Sequence, residues 1–155
     1  MYIETDRMVI RDFTVNDVND MQDILGDEET MKNCEPVYTI EKTADFLQTF
    51  CIGKRGAVAA VHKETAKVIG YILFNGFDEG VYEIGWFFNR NFWGQGFAYE
   101  SCKAVFAETI DGIKSVHLMK KLGMKPEGIQ RSQTKDNSGN WADLYLYGIL
   151  SEDRQ

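Results

Sequence analysis

The sequence is poor in the residues that build disulfide frameworks and metal centres. It has three cysteines and two histidines among 155 residues. Cys34, Cys51 and Cys102 are far apart, and none belongs to a CxxC pair. A disulfide scaffold needs paired cysteines at close spacing, and a zinc or iron site needs a cluster of ligands. We therefore expect no metal and three thiols without a chemical role.

Long apolar runs are absent as well. The first residues, Met1–Arg7, include Glu4, Asp6 and Arg7, and no later segment has the length and hydrophobicity of a signal peptide or a membrane span. We expect a protein of the cytoplasm that does not bind membranes.

Positive charge is scarce. Seventeen Lys and Arg stand against 24 Asp and Glu, which gives a net charge of −7 and a pI near 4.8. Nucleic-acid binding needs a basic face that neutralises phosphates, so this class of partner is excluded. An acidic protein instead favours the approach of a cationic substrate such as an amine.

The residues that are present predict one domain over 1–155, with an α+β (mixed α/β) fold. The hydrophobic fraction of 44% and the charged fraction of 26% are those of a globular protein. Period-two and helical patterns indicate both kinds of element. The predicted strands are 8–13, 57–61, 68–74, 82–88, 128–135 and 141–150. The predicted helices run from Thr14 to near Gly26, from after Thr39, from around Tyr99, and from Ser115 to Leu122.

The most informative segment is a glycine-containing loop between a predicted strand and a predicted helix. Gly94 and Gly96 have no β-carbon, so a ligand can approach the main chain closely there. Consecutive N–H groups at the start of a helix form a site suited to a pyrophosphate. The residues alone are equally compatible with an ordinary strand-to-helix turn.

A resemblance to a known family separates these two interpretations. Asn91, Gly94 and Gly96 resemble the acyl-CoA motif of the GNAT superfamily of N-acetyltransferases, (Gln/Arg)-x-x-Gly-x-(Gly/Ala), with Asn91 at the Gln/Arg position. The branch of ribosomal-protein N-terminal (Rim-type) acetyltransferases is similar over four segments in the same order. These segments are 4–11, 93–100, 115–128 and 141–147.

The resemblance implies a mostly antiparallel central sheet flanked by helices, and transfer of an acetyl group from acetyl-CoA to a primary amine. The amine would be a protein N-terminus or a small molecule. The implied acetyl-CoA site comprises a residue at the end of the third central strand and the loop that follows it: Phe88, Asn91, Phe92, Trp93, Gly94, Gln95, Gly96, Phe97 and Ala98.

The resemblance also suggests residues for the chemistry. Glu83 is the first candidate for the general base, acting through water, and Ser115 is the candidate proton donor. Asp143 is expected to meet the substrate and, with Glu100, is an alternative base. His117 is a weaker candidate because it lies off the apolar face of its predicted helix. Gly85 indicates either a bulge or close ligand approach, or a packing accommodation.

One departure from the family pattern lies near Val105 and Phe106. Only Tyr99–Val105 remain for the helix after the loop, and Phe106–Asp111 are similar to the second half of a strand that would pair parallel to the Glu83 strand. Three explanations stay open: a natural short variant, an element exchanged in a homodimer, or residues missing from the sequence. The alternative function is therefore a non-catalytic acyl-CoA-binding or interaction protein.

Overall fold

The computed structural model describes residues 1–78, 81–108, 120–135 and 139–150, with the main chain alone at 76–78, 81–83, 106–108, 133–135, 142 and 144. In chain order the elements are β1 Tyr2–Glu4, β2 Met8–Asp12, α1 Val18–Leu25, α2 Glu28–Met31, α3 Ile40–Phe46, β3 Ala57–His62, β4 Val68–Asp78, β5 Val81–Phe88, α4 Phe97–Glu108, β6 Lys125–Lys135 and β7 Trp141–Gly148.

Five strands form one antiparallel sheet in the order β1-β2-β3-β4-β5, and β6 and β7 pair as a separate two-stranded sheet. This confirms the predicted fold class, a mostly antiparallel sheet flanked by helices. Side chains of β3 alternate between two cores, with Val58 and Ala60 on one face and Ala57, Ala59 and Val61 on the other. Helices cover both faces, which is why every residue of β3 is buried.

The two cores use different helices. α4 supplies Phe97, Cys102 and Val105 to the first core, together with Ile10 and Ile84 of the sheet. α1, α3 and the π-helical turn Leu47–Gly53 cover the other face. The sheet therefore has a helical layer on each side, and α4 alone among these helices begins at the glycine loop.

The predicted helix starts in the first half of the chain are confirmed. Asp17 accepts a hydrogen bond from the Thr14 N–H at 2.8 Å in the turn before α1, and α1 ends at Leu25, beside Gly26. The Thr39 hydroxyl accepts from the Lys42 N–H at the start of α3. The short helix α2 was not predicted, since four residues are too few to show a period.

The helix after the loop starts close to the predicted position, but its predicted end is wrong. α4 begins at Phe97 rather than Tyr99 and continues to Glu108, so Phe106, Ala107 and Glu108 are helical and not part of a strand. Twelve residues give a helix of about 18 Å, long enough to run back along the sheet. Residues 109–111 of the expected strand, and most of the expected helix Ser115–Leu122, lie outside the described residues.

Candidate functional site

The candidate site is the loop that joins β5 to α4. Its first turn, Arg90–Phe92, is fixed by Asn89, whose side-chain oxygen accepts the Asn91 N–H at 3.0 Å. The Trp93 indole Nε1 donates to the Phe88 carbonyl at 2.6 Å, and Gln95 Nε2 donates to the Asn91 carbonyl at 3.0 Å. The loop therefore has a defined shape before any ligand binds.

Gly94 and Gly96 both have left-handed main-chain conformations, with φ of +72° and +85°. A β-carbon on Gly94 would meet nothing within 4 Å, and one on Gly96 would meet only Arg7 Nη2 at 3.5 Å. The glycines are therefore required by conformation rather than by crowding. The surface above them is open to a ligand.

The loop also presents several N–H groups for which the described residues provide no acceptor. The first helical hydrogen bond runs from the Glu100 N–H to the Gly96 carbonyl at 3.0 Å. Within the described part of the chain, the N–H groups of Gly94, Gln95, Gly96 and Phe97 have no such partner. Together with the positive end of the helix dipole, these donors make a site for an anion.

Contacts with the turn between β1 and β2 hold this loop in place. Glu100 accepts from the Thr5 hydroxyl, from the Arg7 N–H at 2.9 Å and from Arg7 Nε at 2.7 Å. Arg7 Nη1 donates to the Gln95 carbonyl at 3.0 Å, and the guanidinium carbon lies 4.1 Å from the centre of the Phe97 ring. The start of α4 is thus bound to a residue 93 positions earlier in the chain.

These contacts decide the ionisation of Glu100. Its partial burial would raise the pKa of the carboxyl, but the hydrogen bonds from Thr5 and Arg7 outweigh this and lower the pKa below its usual value. Glu100 is therefore a charged acceptor engaged with Arg7. This arrangement argues against the role of general base that we considered for it.

The predicted acetyl-CoA residues differ in how their side chains are placed. Phe88 and Phe97 are buried in the first core, so little of either side chain is exposed to a ligand. Phe92 and Ala98 are half-buried, and His62 packs edge-on against Phe92 and Phe97. The exposed members are Asn91, Trp93, Gly94, Gln95 and Gly96.

A cleft of about 300 Å³ opens beside the loop. It lies between the loop, the β1–β2 turn and the hairpin that joins β3 to β4. Its walls combine aromatic and charged side chains; the lining residues are Asp6, Arg7, His62, Lys63, Glu64, Phe92, Gln95 and Phe97. The glycine loop is therefore accessible from a concave surface and not only from open solvent.

The structure describes some of the predicted catalytic residues and not others. The main chain of Glu83 lies in β5 and pairs with Asn75, five residues before the end of the strand that leads into the loop. Ser115 and His117 lie outside the described residues. Asp143 is exposed in β7, and its carboxylate accepts the Ser132 N–H at 2.9 Å. That bond stabilises an irregularity in β6, where Ser132 has a φ of +49°.

Gly85 has a packing explanation. It pairs with Leu73 in unbroken register, so no bulge occurs there. A β-carbon at this position would lie 3.1–3.3 Å from three Leu73 side-chain atoms, which is tighter than ordinary contact. Of the two interpretations of Gly85, the structure therefore supports a packing accommodation, and the neighbour that requires it is Leu73.

The thiols are placed without metal partners among the residues that the structure describes. Cys51 and Cys102 are buried, and burial raises the pKa of the Cys51 thiol to about 12 and that of Cys102 further still. Cys34 is exposed. In the described ranges, no three His, Cys, Asp or Glu side chains form a group that could hold a metal ion. Within the same ranges, no helix is long and apolar enough to cross a membrane.

Sequence reasoning missed the part that Thr5 and Arg7 play in shaping the loop. Both residues lie in the first segment that resembles the Rim-type branch, but nothing in their spacing indicates a partner more than 90 residues away. The available signal was that a cation, Arg7, and a carboxylate, Glu100, each lie in a segment that resembles the Rim-type branch. Such a pair could have suggested a contact between the two segments.

Comparison with known proteins points to one family. The sequence model of the acetyltransferase (GNAT) domain matches residues 7–125. An uncharacterized N-acetyltransferase, YnaD of Bacillus subtilis (strain 168), is 32% identical over 170 aligned positions, which cover 99% of each chain. Since this chain has 155 residues, at least 15 of the 170 aligned positions (170 less 155) have no residue of this chain.

Solved structures show the same fold. The crystal structure of a GNAT-family acetyltransferase from Bacillus anthracis has a TM-score of 0.85 and 29% identity, and covers 98% of this chain and 99% of that one. RimL, a ribosomal L7/L12 α-N-protein acetyltransferase solved in complex with coenzyme A, has a TM-score of 0.85 at 17% identity, with 99% and 100% covered.

Proposed function

We propose that this chain, which belongs to the GNAT family of acetyltransferases, transfers the acetyl group of acetyl-CoA to a primary amine, either a protein N-terminus or a small molecule. The observation that carries the proposal is the loop before α4. Its two left-handed glycines, whose N–H groups have no acceptor among the described residues, form an anion site at the start of a 12-residue helix.

The residues of this loop fit the pyrophosphate of acetyl-CoA. The anion needs several converging donors, close approach to the main chain and no β-carbon in the way. The N–H groups of Gly94, Gln95, Gly96 and Phe97 supply the donors. The space beside Gly94 is open, and the nearest atom to a β-carbon position at Gly96 is Arg7 Nη2 at 3.5 Å. The exposed Trp93 and Asn91 are available to flank the ligand.

The chemistry needs few groups. Acetyl-CoA supplies an acetyl thioester, and the reaction forms a carbon–nitrogen bond as the carbon–sulfur bond breaks. Glu83 is the proposed base that accepts, through water, the proton lost by the amine. N–H groups of β5 hold the carbonyl oxygen, and the Ser115 hydroxyl donates a proton to the departing sulfur. Asp143, exposed in β7, is the proposed contact for the cationic acceptor.

The acceptor class rests on charge. The chain has a net charge of −7, and an acidic protein attracts an ammonium group before it is deprotonated. A peptide N-terminus and a small amine share this chemistry. A screen of both kinds of acceptor, with release of free coenzyme A thiol as the readout, separates them.

The first test is a calorimetric titration with acetyl-CoA of the protein and of Gly96→Trp. We expect saturable binding by the unsubstituted chain and no measurable binding by Gly96→Trp, because the indole would occupy the space of the ligand. The matched control is Gly139→Trp. Gly139 has a φ of +82° and open space around it, so it shares the backbone strain but lies between β6 and β7.

The outcomes separate the candidate functions. Equal affinity of Gly96→Trp and Gly139→Trp for acetyl-CoA would remove the loop from the site. Saturable binding with no turnover on any amine would favour the non-catalytic acyl-CoA-binding protein. Absence of binding by the folded, unsubstituted chain would reject both.

A further inference from the structure

Arg7 touches the glycine loop at three successive places. Its Nη1 donates to the Gln95 carbonyl at 3.0 Å, its Nη2 faces the open side of Gly96, and its guanidinium lies over the Phe97 ring. Its Nε is held by Glu100 at 2.7 Å. A planar guanidinium can satisfy these partners together because its donors have fixed, divergent directions.

The bond to Gln95 has a consequence for the next N–H group. The Gln95 carbonyl and the Gly96 N–H belong to one planar trans peptide, so the two groups point in opposite directions. By holding the oxygen on the side of the β1–β2 turn, Arg7 turns the Gly96 N–H to the other side. That N–H is one of the donors without a partner in the described part of the chain.

The bond to Glu100 has a second consequence. Glu100 lies in the first turn of α4, close to where an anion would bind, and its lowered pKa keeps it charged. A carboxylate there repels an anionic ligand unless a cation compensates it. Arg7 supplies that cation at 2.7 Å, in a pair whose Glu100 side chain is only 18% exposed.

We propose that Arg7 is a positioning residue for the pyrophosphate site: it aims the Gly96 N–H by holding the Gln95 carbonyl, and it neutralises Glu100. This inference rests on the proposed function, since it assigns a role in binding acetyl-CoA. The role assigned to Arg7 is exerted through its bonds to Gln95 and Glu100.

The test compares Arg7→Met and Arg7→Lys with Lys42→Met as the control. Lys42 lies on α3, which covers the other face of the main sheet from α4, and its ammonium pairs with Glu35 at 3.3 Å. Its loss removes the same charge from the protein at a position away from the glycine loop. Each variant is titrated with coenzyme A and with dephospho-coenzyme A, which lacks the 3′-phosphate. The KM for acetyl-CoA and the kcat are measured, and thermal unfolding checks that each variant is folded.

We expect Arg7→Met to weaken binding of both ligands about tenfold, the usual effect of losing one hydrogen bond to a charged group, with kcat unchanged at saturation. Arg7→Lys should not restore affinity, because a lysine lacks the rigid fork that places separate nitrogens on Gln95 and Glu100. Lys42→Met should change affinity by less than about twofold, as for an exposed, screened charge.

Three results would overturn the inference. Full affinity in Arg7→Lys would show that charge alone matters. A loss seen with coenzyme A but not with dephospho-coenzyme A would mean that Arg7 binds the 3′-phosphate directly. Unchanged affinity of Arg7→Met, while the unsubstituted chain binds acetyl-CoA, would reject the inference and leave the proposed function standing. Only failure of the unsubstituted chain to bind would reject the proposed function.

Discussion

Gly94 and Gly96 adopt backbone conformations that other residues reach at a cost of about 1–2 kcal/mol. Neither glycine is there to avoid a clash, since a β-carbon at Gly94 would meet nothing and one at Gly96 only the tip of Arg7. Gly85 is the opposite case, with ordinary strand geometry and a crowded neighbour in Leu73. The same residue type therefore belongs to the proposed ligand site in one place and serves packing in another.

Glu83→Gln tests the proposed general base. General bases contribute about 10²–10⁴ to a rate, so we expect turnover to fall by about 10² or more while the dissociation constant for acetyl-CoA stays the same. The rate of the unsubstituted enzyme should decline towards acid pH as the base is protonated, and Glu83→Gln should lack this limb. Steady-state kinetics across pH, with calorimetry for affinity, provide the measurement.

The control is Glu41→Gln, an exposed carboxylate in the first turn of α3, whose turnover should match the unsubstituted enzyme. If Glu83→Gln kept the full rate at every pH, Glu83 would not be the base, and Asp143 would become the first alternative.

At the residue scale, the sequence alone identified the loop but not what holds it. Gly94 and Gly96 are recognisable because positive φ and close ligand approach both select glycine. The bond between Arg7 and Glu100 spans 93 positions, and no local pattern encodes such a distance. The Ser132–Asp143 bond was missed for a different reason, since it depends on an irregular register between β6 and β7.

At the element scale, the strands of the main sheet were predictable because their apolar residues alternate or run continuously. β3, β4 and β5 contain the predicted segments and extend them by a few residues. The end of α4 was mispredicted because the segment was compared with a family pattern, and the helical spacing of its own apolar residues was not used. Phe97, Ser101, Cys102 and Val105 are all buried, at the spacing of one helical face.

The start of α1 depends on one ion pair. Asp17 accepts from Arg11 Nη1 and Nη2 at 2.8 Å each and from the Thr14 N–H. Burial alone would raise the pKa of Asp17, but these bonds outweigh it and hold the pKa below its ordinary value. Asp17→Asn should therefore lower the free energy of unfolding at pH 7 by about 2 kcal/mol, as expected for hydrogen bonds to a charged group.

The pH dependence follows from the sign of this shift. Because the pKa is lower in the folded state, the stabilisation is complete above the unfolded carboxyl pKa of about 3.9 and is lost as the pH falls through the folded value. Urea unfolding at neutral and at acid pH should show the difference between Asp17→Asn and the unsubstituted protein shrinking in acid. Asp45→Asn, an exposed control on α3, should stay within about 0.5 kcal/mol. A difference that is the same at both pH values would contradict this account.

At the scale of the whole molecule, the family was recognisable from four ordered segments, and the family match and the fold confirm it. The alignment with YnaD supports the prediction that this chain is shorter than the family pattern, since at least 15 of the 170 aligned positions have no residue here. The shortening does not interrupt α4, which has 12 residues. Within the described ranges, every strand pair is antiparallel, and β6–β7 stands apart from the main sheet.

The proposed function requires that the N–H groups between Gly94 and Phe97 bind the pyrophosphate of acetyl-CoA. The most direct measurement is a titration of ¹⁵N-labelled protein with coenzyme A, followed through the assigned amide resonances. We predict the largest shifts at Gly94, Gln95, Gly96 and Phe97, with little change at Gly123 and Gly139, which have similar φ values elsewhere in the chain. Saturable binding with the largest shifts outside the loop, and none within it, would contradict the account.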